Sequence, residues 1–354
     1  MDNFNDRLFR TVIFCLLLIG LLNIVFIDTP TGSKPVLFSL RYRLRQPSHE
    51  ICYSRSTSHR DELEAALSKA SMGKKSTTVI IAIVNKGYID QGEKPMLDMF
   101  LDSFWVGEGT RELINRLLLV AVDERSFERC KFLRLHCYKL ELILDEGAMD
   151  SNGEKLYMSN DFIKMMWRRT LFLGDVLKRG YSFIFTDTDV MWLRNPFPRL
   201  SQNESIDLQI STDRFNGDEQ SEANQQINTG FYMIRSNNKT ISLFDAWYAR
   251  KNSSEGLKEQ DVLLNMMRAG VFRELGLELR FLDTNYFSGF CEDSKDFRAV
   301  TTVHANCCRT IVAKVADLMA VVHDWKMFKR SSSTNQTSTP RSWTNHKACR
   351  DSWK

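Results

Sequence analysis

Two aspartates, Asp187 and Asp189, stand two residues apart inside Tyr181–Phe197, YSFIFTDTDVMWLRNPF. On extended backbone, residues at that spacing point to the same side. Two carboxylates converging there offer hard oxygen ligands for Mn2+ or Mg2+. A metal so held suits a diphosphate, because it neutralises the charge that builds on a departing phosphate. The D-x-D spacing alone is weak, since solvated turns carry it often. Here an aromatic-rich strand precedes it and Val190-Met191-Trp192-Leu193 follows it. A solvated turn has no need of apolar residues on both sides.

The elements that must position these residues can be read from the apolar pattern. TTVIIAIV at Thr77–Val84 is a continuous β-branched run of the kind that a parallel sheet covers on both faces. Before it, Ser58 and Asp61 stand in capping-box spacing ahead of a short helix, LEAALSKA. A helix is expected at Lys94–Trp105, a buried strand at Leu117–Val122, and helices at Ser126–Leu135 and Asn160–Lys178. The strand Tyr181–Phe185 follows, with further strands at Leu208–Ser211, Phe231–Ile234 and Leu277–Leu282. Alternation of this kind predicts an α/β domain on a mostly parallel sheet. The aspartates then lie just past the carboxyl end of a strand, where open α/β sheets bind ligands.

Composition bounds the rest. The chain has 354 residues, 43% of them hydrophobic and 26% charged, with a net charge of +4. Lys and Arg are interspersed with nearly as many acids, which argues against a nucleic-acid partner. Residues 11–27, TVIFCLLLIGLLNIVFI, form an apolar run behind Arg7 and Arg10. It is slightly short of the ~20 residues of a typical membrane span, and no small-x-small cleavage site follows it. It reads as an uncleaved signal-anchor, with residues 1–10 as a cytoplasmic tail. The flanking charges leave its orientation ambiguous. Residues 28–57 read as a stem, 58–330 as the catalytic domain, and 331–354, rich in Ser, Thr and Asn, as a mobile tail. Sequons at Asn203, Asn238, Asn252 and Asn335 suggest a lumenal domain. So do the seven cysteines beyond the anchor. Cys130 with Cys137, or Cys52, Cys291 and Cys349, are disulfide candidates, with buried free thiols as the alternative.

The stretch FTDTDVMWLRNPF, with TTVIIAIVN before it and HANCC after it, resembles the plant nucleotide-diphospho-sugar transferase domain family. This is the retaining family of the rhamnogalacturonan-II xylosyltransferases and extensin arabinosyltransferases. The resemblance runs from about Ser71 to Lys329. It implies a GT-A fold, a UDP-sugar donor, a divalent metal and type II Golgi topology. By the same resemblance His304, in TVHANCC, completes a metal site with Asp187 and Asp189; otherwise it is a hydrogen-bonded core histidine. Cys307 and Cys308 beside it lack the second cysteine pair that zinc would need. Lys314 is placed like a lysine that contacts donor phosphate, or else is a solvated helix lysine. Gln260 and Asp261, in EQDVLLNMM, resemble the acidic-Gln-Asp segment near the reacting sugar, although acids in a first helical turn need no function. Asn228, in NTGF, and Asp213 are placed to contact sugar. Arg169 is placed to face donor phosphate, and Asn85 to hold the nucleotide base.

These readings converge on a metal-dependent transfer of a pentose or galactose from a UDP-sugar to a cell-wall polysaccharide or glycoprotein. Anchorage in the Golgi membrane and complexes with other transferases go with it. The alternatives are a non-catalytic Golgi scaffold of the same fold and a nucleotide-sugar hydrolase. A covalent nucleophile and reaction on the leaving-group face are equally compatible with these residues.

Overall fold

Odd and even residues of the first strand face different helices, and this explains why the strand is apolar throughout. In β1 (Val79–Val84), Val79 and Ile81 join one buried cluster while Ile80, Ala82 and Val84 join another. The computed structural model describes residues 54–90, 92–140, 158–334 and 342–354. The expected anchor at 11–27, almost all of the stem, and the sequon at Asn335 lie outside them. No helix among the described residues is long and apolar enough to cross a membrane.

In chain order the other strands are β2 (Leu117–Ala121), β3 (His136–Lys139), β4 (Phe183–Thr186), β5 (Val190–Trp192), β6 (Leu208–Arg214), β7 (Gln226–Ile234), β8 (Leu279–Leu282), β9 (Phe287–Gly289) and β10 (Thr302–His304). The central sheet has the order β3-β2-β1-β4-β7-β6-β8. Its β3-β2, β2-β1, β1-β4 and β6-β8 pairs are parallel, whereas β7 runs antiparallel to β4 and β6. This is the mostly parallel α/β sheet expected of a GT-A-like fold. A second sheet, β5-β10-β9, begins where β4 leaves the first.

The helices are α1 (Ser54–Ala70), α2 (Gly87–Asp90), α3 (Met96–Val106), α4 (Glu124–Phe132), α5 (Asn160–Lys178), α6 (Asn238–Ala249), α7 (Glu259–Arg268), α8 (Val271–Glu274), α9 (Ile311–Thr334) and α10 (Lys347–Asp351). One sheet face packs against Met96, Phe100 and Phe104 of α3 and against Leu318 and Trp325 of α9. The other packs against α5, α6 and α7 through Phe172, Val176, Phe244 and Met266. Helix α5 starts and stops where its pattern predicted, with the Ser159 hydroxyl accepting from the Phe162 amide at 3.2 Å.

Two differences from the sequence reading bear on the site. Strand β7 begins at Gln226 rather than Phe231, so NTGF lies inside a strand rather than at its entrance. Asn and Gly are poor strand formers. Pairing with β6, across register shifts at Ile210/Ser211 and Thr212/Arg214, overrides that preference. The expected mobile tail is also corrected. Helix α9 runs to Thr334, and residues 342–354 pack on the domain. Trp343 is buried against Phe297, with ring centres 3.9 Å apart, and donates to the Ser294 carbonyl at 2.8 Å. A polar composition suggested mobility, but a buried tryptophan and a disulfide at Cys349 fix this segment.

Candidate active site

The D-x-D stretch is the joint between the two sheets. The Asp187 amide donates to the Gly230 carbonyl at 2.7 Å, extending the β4-β7 pairing by one residue. The chain then turns into β5, whose Val190 lies opposite His304 of antiparallel β10. The Ala305 amide donates to the Asp189 carbonyl at 3.0 Å. Backbone pairing thus brings the histidine to the aspartates. His304 Nε2 lies 3.3 Å from Asp189 Oδ1 and 4.0 Å from Asp187 Oδ2. One ligand atom from each of the three residues falls within a 4.8 Å group.

Gly230 makes this approach possible. A Cβ built there would sit 2.3 Å from His304 Cε1 and 2.8 Å from Asp187 Oδ2. No side chain fits, so the glycine in NTGF is there for close approach to the histidine and carboxylate.

Each carboxylate is held by a cation of its own. Lys314, in the first turn of α9, donates to Asp189 Oδ2 at 2.6 Å. Arg169, on α5, donates to Asp187 Oδ1 at 3.0 Å and to Thr229 Oγ1 at 3.1 Å, and it pairs with Glu259 Oε1. Its guanidinium also lies 4.7 Å from the centre of the Phe185 ring. The Arg169 and Glu259 side chains are 7% and 2% exposed, so each needs the other as a buried counter-charge.

The two aspartates are in consequence pushed apart electrostatically. Burial favours the neutral form of both. For Asp189, Lys314 and His304 outweigh burial and hold its carboxyl below the usual range. For Asp187 burial prevails over Arg169, with the neighbouring Asp189 charge adding to it, and its carboxyl is raised. Burial pulls the His304 imidazolium down, but Asp189 and Asp187 more than offset this and raise it.

A cleft of about 230 Å3 opens over this group. Every expected site residue but one lines it: Asn85, Arg169, Asp187, Asp189, Asp213, Asn228, Gln260, His304 and Lys314. Asp261 does not. Successive helical residues turn through about 100°, so only part of a first turn faces inward. Glu259 and Gln260 take that side, with Gln260 Oε1 accepting from the Thr229 amide at 3.0 Å. Asp261 is turned toward Lys258, 4.0 Å away, and its carboxyl is raised mainly by burial. Arg169 lies on the cleft wall as expected, but its bonds run to Asp187, Thr229 and Glu259. Asn85 closes its own loop by accepting from the Gly87 amide at 2.9 Å.

Three residues not singled out from the sequence complete the walls. Glu259, the acidic member of the EQD segment but not itself named as a site residue, is the buried partner of Arg169. Thr229 bridges Arg169 to Gln260. Asn306, in the HANCC motif itself, donates to Asp213 Oδ1 at 2.8 Å, and Asn228 donates to the same oxygen at 2.8 Å. Asp213 therefore orients both amides. The cysteines pair as Cys130–Cys137, Cys291–Cys307 and Cys308–Cys349. Cys307 and Cys308 are thus unavailable to zinc.

The donor set fits a divalent cation. Two carboxylate oxygens and one imidazole nitrogen form a mixed O/N set for such an ion, and the glycine at 230 leaves the room that His304 and Asp187 occupy.

The chain is 54% identical over 295 residues to an uncharacterized protein of Arabidopsis thaliana, spanning 83% of this chain and 84% of that one. It is 29% identical over 226 residues to the Arabidopsis thaliana beta-arabinofuranosyltransferase RAY1, spanning 60% of this chain and 39% of the relative. Among solved structures, mouse xyloside xylosyltransferase 1 aligns over 66% of this chain and 98% of its own, with 14% identity and a TM-score of 0.38. The sequence profile of the nucleotide-diphospho-sugar transferases matches residues 112–318, from before β2 into α9, and so takes in every residue of the Asp187–Asp189–His304 group. The chain belongs to that family and is a glycosyltransferase.

Proposed function

We propose that this protein is a divalent-metal-dependent, retaining glycosyltransferase that uses a UDP-sugar and acts on a cell-wall polysaccharide or glycoprotein. The observation that carries the reading is the grouping of Asp187, Asp189 and His304 between Lys314 and Arg169. Asp187, Asp189 and His304 would hold the metal, which supplies charge neutralisation to the leaving diphosphate. Lys314 carries a half-buried positive charge on the same wall and is placed to meet phosphate oxygens once a ligand competes for it. Arg169 acts by orienting Asp187. Asn228 and Asp213 present a fixed pair of polar groups to sugar hydroxyls, in company with Asn306. Gln260 has its carbonyl engaged by Thr229, which leaves its amide nitrogen to donate toward the reacting sugar. Asn85 stands at the β1 end of the cleft, the place assigned to the nucleotide base. UDP and retention rest on the family resemblance. Pentose donors come first for test because RAY1 is a beta-arabinofuranosyltransferase, with UDP-galactose in the same panel.

We place the domain in the Golgi lumen, anchored through residues 11–27. Three disulfides among the described residues suit an oxidising compartment. Asn203 and Asn252 lie on the exposed surface where glycans fit.

The test is UDP release by the protein with Mn2+ across UDP-xylose, UDP-arabinose and UDP-galactose, beside Asp189→Ala. Metal-dependent release from one donor, lost in the variant, supports the reading. Metal-independent release, or no release and no UDP binding, overturns it and favours a scaffold role.

A further inference from the structure

One rim of the cleft is built from chain that has no sheet to hold it. Cys307 adopts a left-handed backbone (φ 50°), unusual for a residue with a side chain, and neighbouring cysteines tie it in two directions. Cys307 bonds back to Cys291, and Cys308 bonds forward to Cys349 of α10. Asp317 of α9 accepts from the Cys349 amide at 2.7 Å, and Ser352 Oγ accepts from the Arg309 amide at 3.0 Å. The product of all this fastening is the placement of Trp353. Its indole N–H donates to the Cys307 carbonyl at 2.9 Å, and Arg309 lies over the ring, 6.0 Å from its centre.

Trp353 nevertheless stays 50% exposed while lining the cleft. The same segment buries Trp343 to 9% exposure, so it has the means to bury a tryptophan. What sets this indole apart is its place: its polar edge is fixed, and it stands half exposed on the wall of the cleft, where its ring can cover an apolar ligand face. Its position is also informative. The path from Trp353 runs through Cys307 and Cys291 to Asn306, whose Oδ1 accepts from the Cys291 amide at 3.0 Å, and thence to Asp213. Trp353 is thus tied to the Asp213–Asn306 wall, where sugar hydroxyls are met, and lines the same cleft.

We infer that Trp353 is the stacking platform for a saccharide ring of the acceptor, held beside Arg309 at the mouth of the cleft. One face of a pyranose or furanose presents mainly C–H groups, which an indole removes from water, while Arg309 donates to ring hydroxyls or a carboxylate. The inference rests on the transfer to a glycan proposed above.

The experiment measures binding, with UDP and Mn2+ present, of methyl β-D-galactopyranoside, methyl α-L-fucopyranoside and methyl α-L-arabinofuranoside by saturation-transfer NMR. At least one binds the wild type, Trp353→Ala weakens it about tenfold, and Trp353→Phe keeps it within about threefold. Undiminished binding by Trp353→Ala, or no glycoside bound by the wild type, overturns the inference. A fall in UDP affinity by the same factor also overturns it, since the ring covered would then be the donor's. Glycoside binding that depends on Trp353 in a protein with no metal-dependent UDP affinity would sink the proposed donor chemistry and leave the platform standing.

Discussion

The inner and outer walls of the cleft are held by different forces. The inner wall, with Asp187, Asp189 and His304, grows out of two sheets, and backbone pairing fixes where its side chains emerge. Ion pairs also hold it, Arg169 to Asp187 and Glu259, and Lys314 to Asp189. The outer wall, from Cys291 and Asn306 to Trp353, is largely loop, and disulfides take the place of the ladder. Rigid geometry at the reacting atoms comes from the sheets, where sub-ångström placement matters. Covalent staples suffice where a larger and more variable ligand must be met.

The comparison can be broken in order of effect. Asp189→Ala removes a carboxylate held by both His304 and Lys314, and UDP release should fall about 10²–10³-fold. Opening the outer staple, by Cys308→Ser with Cys349→Ser, should cost up to ~4 kcal/mol of stability, because the bond closes a long loop. Mn2+ affinity in that variant should stay within about threefold of wild type, since the inner wall is built from strands. Thermal melts and metal titrations check the two halves; a large loss of Mn2+ affinity would show that the walls are not independent. Glu259→Gln leaves Arg169 with a weakened counter-charge and should lower stability by ~3 kcal/mol, read by denaturant unfolding. Gly230→Ala drives a methyl into His304 and should weaken Mn2+ binding about 10–100-fold with the fold intact. The smallest effect is on pH. Asp189 and Asp187 raise the His304 pKa in the metal-free protein, so below that raised pKa the ion must displace a proton. Mn2+ affinity should therefore rise with pH, by at most about tenfold per unit, and level off above the raised pKa.

Much of the inner wall was legible because strand periodicity and motif spacing carry it. Asp187 and Asp189 follow a recognisable buried strand, and α5, which carries Arg169, ends where its apolar pattern ends. Asp261 shows the limit of a motif. Membership in EQD does not say which residue of a helical turn faces the cleft, and the packing of Glu259 on Arg169 decides it. The outer wall was nearly invisible. Ser- and Thr-rich composition suggested a mobile tail, since disulfide partners 41 residues apart have no local signature. Strands β5 and β10, three residues each, were too short for periodicity to reveal, yet they bring His304 to the aspartates.

The most direct test of the account is calorimetric titration of UDP into the wild-type protein with Mn2+ and again with EDTA, beside His304→Ala. The account predicts binding that needs Mn2+ and is weakened at least about tenfold in the variant. Equal UDP affinity with and without the metal, or in the variant, would contradict the claim that Asp187, Asp189 and His304 form a metal site for the donor diphosphate.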